Sequence, residues 1–161
     1  MSAEEIDRIV AEARQIFPKV RVTGGVSADD ISELEMLVGK IPGTYRHFLE
    51  NYGTLGFYGL EIYGLVGGNL RGEGPPNAYF MTKADLDDGS LPPGHIIIAT
   101  TGYGPVYLLN CETGEALGWN YTGEADDDFR DSPHSRVFLM MRFPIPSLTT
   151  RRKMAHEEFC T

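Results

Sequence analysis

The first third of the chain repeats apolar residues with the period of an α-helix. In the first such segment, six apolar residues share one helical face: Ile6, Ile9, Val10, Ala13, Ile16 and Phe17. This spacing predicts an amphipathic helix over residues 3–17. Pro18 ends the helix, because a proline inside a helix removes a hydrogen bond and clashes with the preceding turn. The short run "KVRV" that follows predicts a strand.

A second apolar stripe predicts a helix over residues 28–38. Ser27 stands where an N-cap is needed, and Asp30 three residues later completes a pattern similar to a capping box. Gly39 fits the C-terminal cap. The helix is acidic on its other face.

The segment "IPGTYRHFLENYG" predicts a third helix over residues 42–52. Pro42 fits its first turn, where the missing N–H would have no partner. Four side chains form its apolar face: Tyr45, Phe48, Leu49 and Tyr52. We therefore expect Phe48 and Leu49 to be buried. His47 neighbours this face without a Cys, Asp or Ser at a recruiting distance in sequence, which favours a packing or surface role over catalysis.

Short strands are predicted for the middle of the chain. Between residues 53 and 68, glycines recur among aromatic and β-branched residues, a pattern typical of strands with bends. Residues 78–94 predict a short helix followed by a loop. The apolar run at 95–104 predicts a buried strand that leads into a turn. Residues 106–121 predict a hairpin whose turn lies at 112–114.

The order of these elements predicts the fold class. Helices come first, strands follow, and the apolar segment "SRVFLMMRF" predicts a closing helix. We expect an α+β fold with a mainly antiparallel, twisted sheet across residues 54–121, flanked by the N-terminal helices and the closing helix. A chain of 161 residues suits one domain over residues 1–161. Its core is expected at about 27–143, with 144–161 as a C-terminal extension.

The charge balance narrows the classes of partner. Asp and Glu number 23 against 14 Lys and Arg, for a formal net charge of −9. A nucleic-acid binder needs basic groups to neutralise phosphates, so we expect no nucleic-acid partner and no anionic membrane surface. The acidic N-terminus does not resemble a signal peptide, and no long apolar run predicts a membrane span. We therefore expect a cytoplasmic protein, and the charge is compatible with a basic protein partner.

Candidate chemistry is sparse. His156 and Cys160 share a helical spacing, but two ligands are too few for a closed metal site. Cys111 has no CxxC partner and no evident base, which favours an idle thiol. The adjacent acids at 126–128 are typical of a solvated loop rather than of a general acid. We expect no catalytic residues, no cofactor and no metal.

The second and third helices also carry a family resemblance. The segment "LVGKIPGTYRHFLENYGTLGF" resembles the signature of the SUKH superfamily through these residues: Glu33 or Glu35, Gly39, Pro42, Tyr45, Phe48, Leu49 and Gly53. The segment "HIIIATTGYGPVYLLNCETGEALGW" is similar to the sheet region of that family, and "VFLMMRF" to its closing helix. The resemblance covers residues 27–143. The turn "TTGYGP" departs from the family by lacking acidic residues.

The resemblance implies a binding protein rather than an enzyme. SUKH proteins are largely bacterial immunity proteins, each of which binds and blocks a toxin, often a nuclease. A fungal branch provides interaction modules, so an intracellular adaptor with a non-toxin partner is the alternative. Because nuclease toxins are commonly basic, we expect acidic groups to steer the partner and aromatic groups to anchor it. The candidate partner-binding residues are Asp85, Asp87, Asp88, Tyr103, Tyr121, Asp126, Asp127, Asp128 and Asp131.

Overall fold

The fold combines helices with small antiparallel sheets. A computed structural model describes residues 2–57, 59–100 and 106–120. Within them the helices are α1 (Ala3–Ile16), α2 (Ala28–Val38), α3 (Gly43–Asn51) and α4 (Ala78–Asp87). The strands are β1 (Val20–Val22), β2 (Leu55–Phe57), β3 (Leu60–Ile62), β4 (His95–Thr100), β5 (Val106–Asn110) and β6 (Ala116–Trp119). The predicted α+β class is confirmed.

The strands form two three-stranded antiparallel sheets, in the orders β1-β2-β3 and β4-β5-β6. The N–H of Tyr63, just after β3, donates to the carbonyl of Ile98 on β4 over 2.8 Å, so the two sheets are in contact at this point. The first sheet also begins earlier in the chain than residue 54, where the sequence predicted the sheet to start. β1 pairs with β2 with Val20 opposite Phe57, across two intervening helices.

The helix ends follow their sequence signals closely. The Ser27 side chain accepts the N–H of Asp30 over 3.2 Å, as an N-cap should. Gly39 ends α2 with φ of 91°, a left-handed conformation that favours glycine. Pro42 occupies the N-cap of α3 rather than its first turn, so α3 begins one residue later than predicted.

The core gathers buried side chains from α1, α2, α3 and the strands. Phe48 and Leu49 are completely buried, as predicted. The Tyr45 hydroxyl reaches the carbonyl of Tyr63 over 2.8 Å and so satisfies its polar end inside the core. Residues 96–99 of β4 are buried throughout. The predicted closing helix at 135–143 and the end of the hairpin at Tyr121 lie outside the described residues.

Candidate partner-binding site

Three of the predicted partner-binding acids lie at the end of α4. Asn77 caps the start of this helix by accepting the N–H groups of Tyr79 and Phe80. At the other end, the Asp87 carboxylate pairs with the Lys83 ammonium at 2.7 Å. This pair offsets part of the charge that was assigned to partner binding.

Asp85 and Asp88 shape the turn that follows α4. The Asp88 side chain accepts the N–H of Ser90 over 2.9 Å, and hydrogen bonds with Ser90 hold the Asp88 pKa below its ordinary value. The Asp85 carbonyl accepts the N–H groups of Ser90 and Leu91. Asp88 is exposed and Asp85 is half-buried. Both residues therefore have a local structural role besides the one predicted for them.

The end of α4 lies beside the end of β6. The Trp119 indole N–H donates to the carbonyl of Ser90 over 3.2 Å. The described part of the chain ends one residue later, at Asn120. The remaining predicted residues lie outside the described residues: Tyr103, Tyr121, Asp126, Asp127, Asp128 and Asp131. The fold thus brings the acidic end of α4 close to the end of β6.

The turn from α2 to α3 is held by Glu35. Its carboxylate accepts the Arg46 guanidinium at 2.7 Å and the N–H of Ile41 at 3.1 Å. Partial burial opposes ionisation of Glu35, but the bonds from Arg46 and Ile41 outweigh it and hold the Glu35 pKa below its ordinary value. Glu33 instead faces outward and meets Arg71 at 3.5 Å. Of the two candidates for the SUKH glutamate, Glu35 is therefore the one that holds the signature together.

A groove that sequence reasoning missed opens at the end of α2. We call it the α2 groove; it has a volume of about 370 Å³ and is lined by residues 38–40, 93–95 and 110–112. Its walls come from three distant parts of the chain, so no local sequence signal could have indicated it. A Cβ at Gly39 or Gly94 would meet nothing within 4 Å, so both glycines leave backbone open there.

The surroundings of Cys111 and His47 do not resemble a catalytic site. Cys111 is buried, and burial followed by the charge of Glu35 raises its pKa to about 11, so the thiolate that a nucleophile requires does not form near neutral pH. His47 has an acidic neighbour that its place in the sequence does not indicate: its Nε2 lies 2.8 Å from Asp7 of α1. The two residues are forty positions apart, beyond the reach of spacing arguments.

Nowhere in the described ranges do three or more His, Cys, Asp or Glu side chains gather as metal ligands would. In the same ranges, every helix is too short or too polar to cross a membrane.

The larger part of the chain is similar to a known family. The model of the family SUKH_6, described as SMI1-KNR4 cell-wall, matches residues 28–130, well over half of the chain. The match includes α2, α3 and all strands from β2 to β6, and it begins after α1 and β1. A search of curated proteins finds no match.

Proposed function

The chain belongs to the SUKH superfamily, and we propose from this that it is an immunity-type protein, which binds a cognate bacterial toxin and neutralises it. The family match over residues 28–130 is the observation that carries the proposal. We place the protein in the cytoplasm, where an immunity protein protects its own cell. Its action is binding rather than catalysis.

The proposed toxin is a basic protein, such as a nuclease. A nuclease grips phosphate and is therefore commonly basic, and an acidic inhibitor attracts it over distances of about 10 Å at moderate salt. The net charge of −9 supports this choice. The exposed carboxylate of Asp88 adds to the attraction, whereas Lys83 offsets the charge of Asp87. The acids at 126–128, with Asp131, are proposed to steer the approach.

Aromatic side chains are proposed as anchors once the partner has arrived. Tyr103 stands between two glycines and Tyr121 lies two residues before Gly123, and tyrosine combines a large apolar surface with a polar tip. Trp119, two residues before Tyr121, is half-buried and uses its indole N–H within the fold. It therefore supports the fold rather than serving as an anchor.

The proposal is tested with the product of the adjacent gene. The C-terminal domain of that protein is produced with and without this chain, and cell growth and complex formation are measured. We expect the domain to be toxic alone, harmless with the chain, and bound to it in a stable complex. Toxicity that the chain leaves unchanged would rule out the immunity function.

The description of the matched family favours one alternative. The family is named for SMI1-KNR4 cell-wall proteins, so the same fold could serve an adaptor with a non-toxin partner. The two functions differ in the neighbouring gene. If it encodes no toxin, and the chain instead forms a complex with an intracellular regulatory protein at equimolar ratio, the adaptor function replaces the immunity function.

A further inference from the structure

We propose that the α2 groove receives an arginine side chain from a loop of the partner protein. This inference rests on the proposed function only in so far as the chain is a protein-binding module. The groove is separate from the acidic end of α4, because its walls come from α2, the start of β4 and the end of β5.

The end of α2 offers hydrogen-bond acceptors without donors. An α-helix leaves its last carbonyl groups unpaired, and they carry the negative end of the helix dipole. The Gly39 N–H donates to the carbonyl of Glu35, and the Ile41 N–H donates to the carboxylate of Glu35. Among the described residues, no backbone N–H from beyond the helix donates to the carbonyls of residues 36–38. The last turn also lacks a basic residue that would compensate the dipole.

The other walls of the groove add acceptors. The Glu112 side chain is exposed and makes no hydrogen bond or ion pair within the described part of the chain. His95 Nδ1 lies 3.0 Å from the carbonyl of Pro93. A carbonyl only accepts, so Nδ1 carries the proton of that bond and Nε2 is an acceptor in the neutral ring. The field of Glu35 also reaches the floor of the groove, where it acts on Cys111.

Lys40 is the charged group of the groove that opposes a cationic occupant. Its ammonium makes no ion pair within 4.0 Å among the described residues, although its field acts on Glu35. The lysine side chain is long and flexible, so the ammonium can turn to solvent when a guanidinium enters. Lys40 therefore weakens the binding of a cation without blocking it, and its removal should have the opposite effect to the removal of Glu112.

An arginine fits this set of groups better than a small cation. The guanidinium presents five donors in a plane and reaches several acceptors at once. Its methylene stem needs an apolar surface, and Pro93, which lines the groove, offers an exposed apolar ring.

The first experiment probes the groove without any partner. The isotope-labelled full chain is titrated with N-acetyl-arginine amide and, as a matched control, with the neutral isostere N-acetyl-citrulline amide, while amide resonances are followed by NMR. We expect the arginine probe to shift the amides of Gly39, Gly94 and Glu112 at millimolar concentration. The citrulline probe should shift them much less. Absent shifts, or equal shifts with both probes, overturn the proposal.

Two variants give the sign of the charge that the groove prefers. Glu112→Gln should weaken binding of the arginine probe by about two- to five-fold, and Lys40→Gln should strengthen it by a similar factor, as expected for single exposed charges. Both side chains are exposed, so the fold should be unaffected. Opposite signs would indicate an anionic occupant, and unchanged affinities would place the arginine elsewhere. Either result overturns the proposal.

The toxin measurement separates this inference from the proposed function. If the adjacent-gene toxin binds the wild-type chain, Glu112→Gln should lower its affinity and Lys40→Gln should raise it. Equal affinities for both variants leave the immunity function standing and reject the α2 groove as its arginine site. If that toxin does not bind and the arginine probe still shifts the groove, the groove stands and the immunity function fails.

Discussion

One carboxylate oxygen of Asp7 on α1 lies 2.8 Å from Nε2 of His47 on α3, forty positions later in the chain. The same oxygen accepts the hydroxyl of Tyr52 over 2.7 Å. These two bonds hold the Asp7 pKa below its ordinary value. Burial and the bond to Asp7 raise the Tyr52 pKa to about 12. Asp7 therefore ties the first helix, which precedes the family match, to the third.

Replacing Asp7 should destabilise the protein in a pH-dependent way. Asp7→Ala should lower the free energy of unfolding by about 1 kcal/mol at pH 7, a value limited by the partial exposure of the carboxylate. A carboxyl group with a lowered folded pKa stabilises the fold above its ordinary pKa of 3.8. That contribution is lost as the pH falls through the folded value.

The measurement is urea unfolding of wild type and Asp7→Ala at pH 7 and near pH 2.5. The neighbouring exposed residue supplies the control variant Arg8→Ala, which should match wild type closely. The difference between wild type and Asp7→Ala should shrink at the lower pH. A difference that stays constant between the two pH values would show that ionisation of Asp7 contributes nothing.

Truncating Phe48 should damage the core. Phe48 is 0% exposed, so Phe48→Ala should cost about 3–5 kcal/mol through lost burial and the cavity that remains. The matched control on the adjacent helix is Met36→Ala, since Met36 is 79% exposed. That change should cost less than about 0.5 kcal/mol. Chemical denaturation measures both, and a loss below about 1 kcal/mol for Phe48→Ala would contradict its place in the core.

Two glutamates on α2 should differ in their contribution to stability. Glu35 joins Arg46 and the Ile41 N–H, and its removal would leave a half-buried N–H without its partner. Glu35→Ala should therefore cost about 1–3 kcal/mol. Glu33→Ala should cost less than about 0.5 kcal/mol, because the pair of Glu33 with Arg71 is largely exposed. Equal thermal denaturation midpoints for the two variants would contradict the role of Glu35.

Cys111 should be inert in the folded protein. Its side chain is buried and burial raises its pKa to about 11, so little thiolate exists at pH 8. A Cys160→Ser variant isolates Cys111, and its reaction with a disulfide reagent is followed spectroscopically. We expect modification at least about 100-fold slower than after unfolding in denaturant. Rapid modification under native conditions would show that Cys111 is accessible as a thiolate.

The acidic run should act on the rate of association with the toxin. Replacing Asp126, Asp127 and Asp128 together by Asn should slow association and flatten its dependence on salt, since rim charges act mainly on encounter. Tyr121→Ala should instead speed dissociation. Surface-bound toxin and a salt series give both rates. Association as fast as that of wild type at low salt would remove the acidic run from the mechanism.

Local signals predicted the local parts of the fold. These parts are the apolar stripes of α1 to α3, the Ser27 cap and the terminal Gly39, which depend on neighbours within one or two turns. The structure confirms them. The pairing of β1 with β2 was not predicted, because a three-residue strand carries little pattern and its partner lies beyond two helices. The candidate site divides in the same way: Asp87 is a candidate because of its charge, whereas its pair with Lys83 depends on the helix geometry.

The sequence could not decide between Glu33 and Glu35, and the tertiary structure did. By itself the sequence determined an α+β domain of the SUKH superfamily, an acidic surface and a core around Phe48, because periodicity, charge and a family signature are properties of the chain order. Residues two apart on a helix point about 200° from each other. Which of them faces Arg46 depends on how α2 lies against α3. The same holds for Asp7 beside His47 and for the α2 groove, whose groups meet only after the helices and sheets have packed together.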